Sequence, residues 1–143
     1  QIKSFCEKII DRWYLLNPKV TASIKFIETN SGICAPVATT VAQSILSVLN
    51  NAADAASENI EIYIDISLQS LSWTILDRGP GIPIDMMDKL GQPFYSNKNK
   101  GFGLGLFLSQ STLNRYNGSI KLYNRKSGGT RAELKLPFDG KTL

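Results

Sequence analysis

Two apolar runs with almost nothing between them set the strongest limit on the fold. Residues 60–68, IEIYIDISL, and 70–77, SLSWTILD, are dominated by the β-branched, aromatic and aliphatic residues of strands, with only a tight Gln-Ser turn separating them. Three more stretches read as strands: VTASIKFI (20–27), which alternates apolar and polar, SIKLYN (119–124) and TRAELKLP (130–137). The last two are joined by RKSGG, a turn-forming sequence. Helical spacing appears elsewhere. Phe5, Ile9, Ile10, Trp13 and Leu16 share one face of a helix that Asn17-Pro18 stops. A long helix is expected from about Val37 to Ala56, a short one around 85–90, and a third from Leu104 to Tyr116, closed by Asn117-Gly118. Helices and strands do not follow a strict βαβ rhythm. The pattern therefore predicts an α/β fold, a two-layer sandwich in which helices cover one face of a mixed sheet, over a doubly wound parallel one.

The totals narrow the function. The 143 residues suit one domain, with 43% apolar and 20% charged residues, and no apolar run has the ~20 residues that a membrane span needs. The chain starts at Gln1 without an initiator Met, so it reads as a piece of something longer. A net charge of +4 fits both a phosphate-handling protein and a plain solvated surface. No arginine-rich tract with interleaved aromatics points to nucleic acid. Cys6 and Cys34 lack metal or redox spacing and read as reduced thiols of a cytoplasmic protein. The decisive count is zero: the chain has no histidine. That excludes a Ser-His-Asp triad, a histidine general base and histidine-ligated zinc within it.

Four small constellations carry what chemistry there is. On the long helix, Val41, Ile45, Leu49, Ala52 and Ala56 form an apolar stripe, while Ser47, Asn51 and Asp54 form a second, polar one at i, i+4 and i+7. That polar stripe is either a solvated face or a place where an Asn oxygen meets Mg²⁺. Asp77 ends an apolar strand and opens DRGPGIP. A carboxylate there is either a turn former or the buried acceptor for a donor such as the exocyclic amine of adenine. Gly101, Gly103 and Gly105 lie where the polar arm SNKNK turns into a helix. They suit a phosphate cradle, a hinge or a turn, but match neither a Walker loop nor a Rossmann fingerprint. Gly128-Gly129-Thr130 opens the last strand, as a hairpin turn would.

In order, Asn-Ala in a helix, Asp-x-Gly-x-Gly, Gly-x-Gly-Leu-Gly-Leu and Gly-Gly-Thr resemble the N box and three glycine boxes of the GHKL ATP-binding superfamily, which includes gyrase, MutL and the sensor histidine kinases. QPFYSNK looks like the F box of the histidine kinases, and residues 103–137 run as their C-terminal half does. The resemblance implies the Bergerat fold, with ATP held between the helical layer and a mobile lid at about 83–102, and residues 18–140 as the catalytic domain. Helix 1–17 would follow an absent dimerisation and phosphoacceptor domain. Matched position by position, Asn51 is the Mg²⁺ ligand, with Asn50 second. Asp77 is the adenine-reading carboxylate, supported by Thr130 through water and flanked by Gly79, Gly81 and Ile82. Gly101, Gly103, Leu104, Gly105 and Leu106 form the phosphate box, Phe94 anchors the lid, and Lys98, or Lys100 after it, reaches phosphate.

Ser47 stands where ATP-hydrolysing and serine-kinase members carry a catalytic Glu, and a hydroxyl of ordinary pKa is no general base. Histidine kinases usually have Asn at that position and a cation where this chain has Asp54. The resemblance thus implies a histidine kinase domain that uses ATP and Mg²⁺, with Asn51 and Lys98 in catalysis. The acceptor His would lie on a separate domain of a homodimeric protein, itself anchored in the inner membrane or not, with a response regulator downstream. The isolated domain is expected to be a cytoplasmic monomer. The rival readings are a GHKL ATPase or serine kinase, and a nucleotide-binding adaptor.

Overall fold

The computed structural model describes residues 1–29, 32–35, 37–83 and 104–138. Its elements are helix α1 (Ile2–Leu16), strand β1 (Ala22–Glu28), helix α2 (Thr39–Ala55), strands β2 (Ile60–Ile66) and β3 (Ser70–Leu76), helix α3 (Leu104–Asn114), and strands β4 (Ser119–Asn124) and β5 (Thr130–Pro137). The strands form one five-stranded sheet in the order β1-β2-β3-β5-β4. The β1–β2 pair is parallel, as a strand–helix–strand crossover through α2 requires, and the other three pairs are antiparallel. The sheet is mixed, as expected.

Side-chain alternation decides which face is covered. Phe26, Ile64, Trp73, Leu134 and Ile120 lie opposite one another across the five strands and turn inward. The next row, Lys25, Tyr63, Thr74, Glu133 and Lys121, belongs to the face away from the core. On the covered face α2 contributes Val41, Ile45, Leu49 and Ala52, all buried, and α3 contributes Leu106 and Leu113. Helix α1 begins three residues earlier than its periodicity marks, at Ile2, and buries Ile2, Cys6, Ile9, Ile10 and Trp13 in the same core. Asn17 closes it: its backbone N–H and its Nδ2 both donate to the Trp13 carbonyl, at 2.9 and 3.0 Å. The Asn17 Nδ2 also donates to Asn50 Oδ1 at 2.9 Å, tying α1 to α2. At the far end of α3 the turn is made by Asn117, not by the glycine. Asn117 takes a φ of 60°, and the Gly118 N–H returns to the Leu113 carbonyl at 2.8 Å. Gly118 is needed for space: a Cβ there would lie 2.5 Å from the Lys135 carbonyl oxygen.

Cys6 sits deep in this core. Burial pushes its thiol up to about 12, and the nearby indole N–H of Trp73 offsets only part of that. The indole nitrogens of Trp13 and Trp73 have no well-formed hydrogen bond among the described residues. Cys34, by contrast, is exposed. A thiol reagent at pH 8 is therefore expected to modify one cysteine of the folded chain, Cys34, and to reach Cys6 only after unfolding. Because the folded state holds the Cys6 proton more tightly, this thiol's contribution to stability is complete below the unfolded value of 9.0 and is lost as pH rises toward about 12. Denaturant midpoints measured across that window check the sign.

Candidate functional site

The site begins with a carboxylate that the fold buries. Asp77 follows the last residue of β3 and is only 6% exposed. Its backbone N–H donates to the Thr130 carbonyl at 3.0 Å, which extends the β3–β5 ladder by one rung. Its Oδ1 accepts two backbone N–H groups, from Gly79 at 2.9 Å and from Thr130 at 3.1 Å. The protein itself thus supplies the donors that burial demands. Thr130 therefore supports Asp77 directly through its main chain.

Gly129 makes this approach possible. It has a φ of 93°, and a Cβ on it would collide with the Asp77 carbonyl. Glycines 79 and 81 are likewise constrained by the protein's own crowding. A Cβ on Gly79 would lie 2.7 Å from the Ala55 Cβ, and one on Gly81, at φ 79°, would lie 2.8 Å from Asn124 Oδ1. Their bareness serves loop packing before it serves any ligand.

The contact of Gly79 with Ala55 ties the carboxylate to α2. Ala55, Asn51 and Ser47 are spaced at i, i−4 and i−8, so they lie along one side of the helix. At the other end of that stripe Ser47 meets α3: a Cβ on Gly105 would be 3.7 Å from Ser47 Oγ. The stripe is therefore bounded by the Asp77 loop and by the start of α3, with half-buried Asn51 between them. Asp54 lies on the exposed side of α2. Ile82 and Leu106 are buried, and Thr130 is half-buried. Leu104 begins α3. All but the first residue of the expected lid at about 83–102, with Phe94, Lys98, Lys100 and Gly101, falls outside the described residues, as do Gly103 of the phosphate box and the expected short helix at 85–90.

Sequence reasoning passed over two residues that the structure puts against the same loop. Asn124 Oδ1 accepts the Ile82 N–H at 2.7 Å, and Asn124 Nδ2 donates to the Ile82 carbonyl at 2.7 Å. Arg125 Nη1 donates to the Asp77 carbonyl at 2.8 Å. No sequence signal marks either one, because the partners lie 42 and 48 positions away. The donor set suits a nucleotide with its metal: a fixed carboxylate for an amine, a neutral Asn oxygen for a hard cation, and a helix start beside it.

Residues 37–140 match the family model described as histidine kinase-, DNA gyrase B-, and HSP90-like ATPase. Sporulation kinase B of Bacillus subtilis (strain 168) is 31% identical over 105 residues, 71% of this chain and 24% of that protein. The signal transduction histidine-protein kinase AtoS of Escherichia coli (strain K12) is 35% identical over 102 residues, 68% of this chain and 16% of its own length. The chain spans about a quarter or less of the curated relatives it matches. Among solved structures, the nucleotide-free catalytic domain of histidine kinase ThkA superposes with a TM-score of 0.74 at 24% identity, over 95% of this chain and 92% of that one. Mycobacterial sensor histidine kinase MprB gives a TM-score of 0.70 at 17% identity, over 95% of both chains.

If Gly129 is bare because Asp77 leaves no room, Gly129→Ala is expected to destabilise the fold by about 2 kcal/mol or more. Gly128 is a useful contrast, since its φ of 95° is similar but a Cβ there would meet nothing within 4 Å. Gly128→Ala is expected to cost only the left-handed strain, about 1 kcal/mol. Urea unfolding of the two variants checks the order.

Proposed function

We propose a specific activity for this chain, which belongs to the histidine kinase-, DNA gyrase B-, and HSP90-like ATPase family: it is the catalytic domain of a sensor histidine kinase. It binds ATP with Mg²⁺ and passes the γ-phosphoryl group to a His on a separate helical domain of the same protein. The carrying observation is Asp77, buried and clamped through Oδ1 by two backbone N–H groups. With that oxygen used, the second carboxylate oxygen is the acceptor for the adenine amine. The Asp77, Gly79, Gly81, Ile82 and Thr130 cluster forms the base end of the site. Asn51 holds the metal, and the start of α3 with Gly105 and Leu106 faces the phosphates. Lys98, Gly101 and Gly103 complete the phosphate end in this reading. Bound Mg²⁺ supplies charge neutralisation between the phosphates.

Ser47 supports transfer over hydrolysis. It lies on the metal-side stripe of α2 beside Gly105. A hydroxyl of ordinary pKa does not activate water, so these residues bind and align and leave the attacking group to the acceptor. The chain holds no histidine of its own, which fits an acceptor on another domain. No described helix is long and apolar enough to cross a membrane. As a histidine kinase domain it would work in the cytoplasm, upstream of a response regulator.

The test mixes this chain with Mg-ATP and the histidine-bearing domain of the same protein. Acid-labile, alkali-stable phosphate on that domain is the expected result. Steady release of inorganic phosphate with no labelled acceptor would favour an ATPase instead. In the isolated chain Asp77→Asn is expected to weaken ATP binding roughly tenfold or more, because an amide cannot accept the amine as a carboxylate does. Titration calorimetry measures it.

A further inference from the structure

Asn124 and Arg125, side by side at the end of β4, close on opposite ends of one loop. The Asn124 amide satisfies both backbone groups of Ile82, each at 2.7 Å, as a neighbouring strand would. Ile82 is 7% exposed, so water is a poor substitute for those bonds. Arg125 grips the other end, with Nη1 2.8 Å from the Asp77 carbonyl oxygen and Nη2 3.7 Å from Glu61 Oε2. Its side chain is only 17% exposed, and its own backbone N–H is tied to the Gly129 carbonyl at 2.9 Å. The loop between the two grips contains Gly79 and Gly81, residues that by themselves leave a loop pliant.

We infer that Asn124 and Arg125 are positioning residues for base recognition: they hold the Asp77–Ile82 loop in its binding shape and so set how strongly the adenine amine is read. This rests on Asp77 being the adenine-contacting carboxylate. A carboxylate distinguishes a base that has the amine from one that lacks it only if it stays where the amine arrives. A pliant loop would turn the carboxylate toward water and lose the distinction. Fixing the loop in advance also removes its ordering from the cost of binding. Neither residue is a catalytic residue, since both act through the Asp77 loop.

Calorimetry on the 143-residue chain with Mg²⁺ tests this, using ATP and purine riboside triphosphate, which lacks only the exocyclic amine. Affinities are taken well below each variant's melting temperature. The wild type is expected to prefer ATP by roughly tenfold. Asn124→Ala and Arg125→Ala should bring that ratio close to one. Arg125→Lys, which keeps one donor and the charge but loses the fork, should restore part of it. Equal weakening of both nucleotides, with the ratio unchanged, overturns the inference in favour of a merely structural role. Asp77→Asn separates the premises. If it abolishes the preference while the Asn124 and Arg125 variants keep it, only this inference falls. If it leaves ATP binding and the ratio intact, the adenine reading of Asp77 fails, and this inference falls with it. Should Arg125→Ala not fold, Asn124→Ala and Arg125→Lys still decide the matter.

Discussion

One buried carboxylate organises the open end of this sheet. Asp77 sits almost out of water, so it must have donors, and the nearest available are backbone N–H groups. Taking the Thr130 amide requires β5 to start directly beside the end of β3, which the Leu76↔Arg131 register achieves. That closeness requires residue 129 to be bare and at positive φ. Taking the Gly79 amide folds the following loop back over the carboxylate, and Gly79 then presses on Ala55 at the end of α2. The glycines, the hairpin turn and the helix end are thus consequences of satisfying one charged group.

Helix α2 transmits that constraint to the rest of the molecule. Val41, Ile45, Leu49 and Ala52 bury one side of it against the sheet, while Ser47 and Asn51 line the other. A rotation that improved the fit of Asn51 to a ligand would pull the apolar stripe out of the core, where each large side chain is worth roughly 2 kcal/mol. The site is therefore only as adjustable as the core. Asn17, bridging the Trp13 carbonyl and the Asn50 side chain, adds α1 to the same rigid unit.

Much of this was legible in the sequence, and the limits have physical causes. Strands β2 and β3 and the apolar stripe of α2 could be read because period 2 and period 3.6 are local properties. The glycines around Asp77 could be read as turn formers, but not as residues crowded by Ala55, Asn124 and Asp77, because those neighbours come from other elements. Alternation in β1 showed a strand without naming its partner; the parallel pairing with β2 emerges only once α2 crosses between them. The Thr130 N–H that Asp77 accepts could not be singled out, because main-chain donors look alike in every sequence. Asn124 and Arg125 were invisible for a related reason: an Asn and an Arg before a Gly-Gly turn look like surface residues until the loop at 77–82 folds against them.

A histidine-free chain with a serine at position 47 has little of its own with which to activate a nucleophile. What remains is alignment, and alignment depends on where the substrate is held fast. The base end in the proposed reading is held by the protein's own bonds, which join Asp77, Ile82, Asn124, Arg125 and Thr130. In the proposed reading, a nucleotide anchored by its base against such a frame presents its phosphates at a fixed distance along α2, past Asn51 toward Ser47 and Gly105. Anchoring and chemistry are then separated by the length of the nucleotide. In that reading the hold on ATP belongs to the Asp77 frame, and transfer to an acceptor on another domain draws on the other end of the nucleotide.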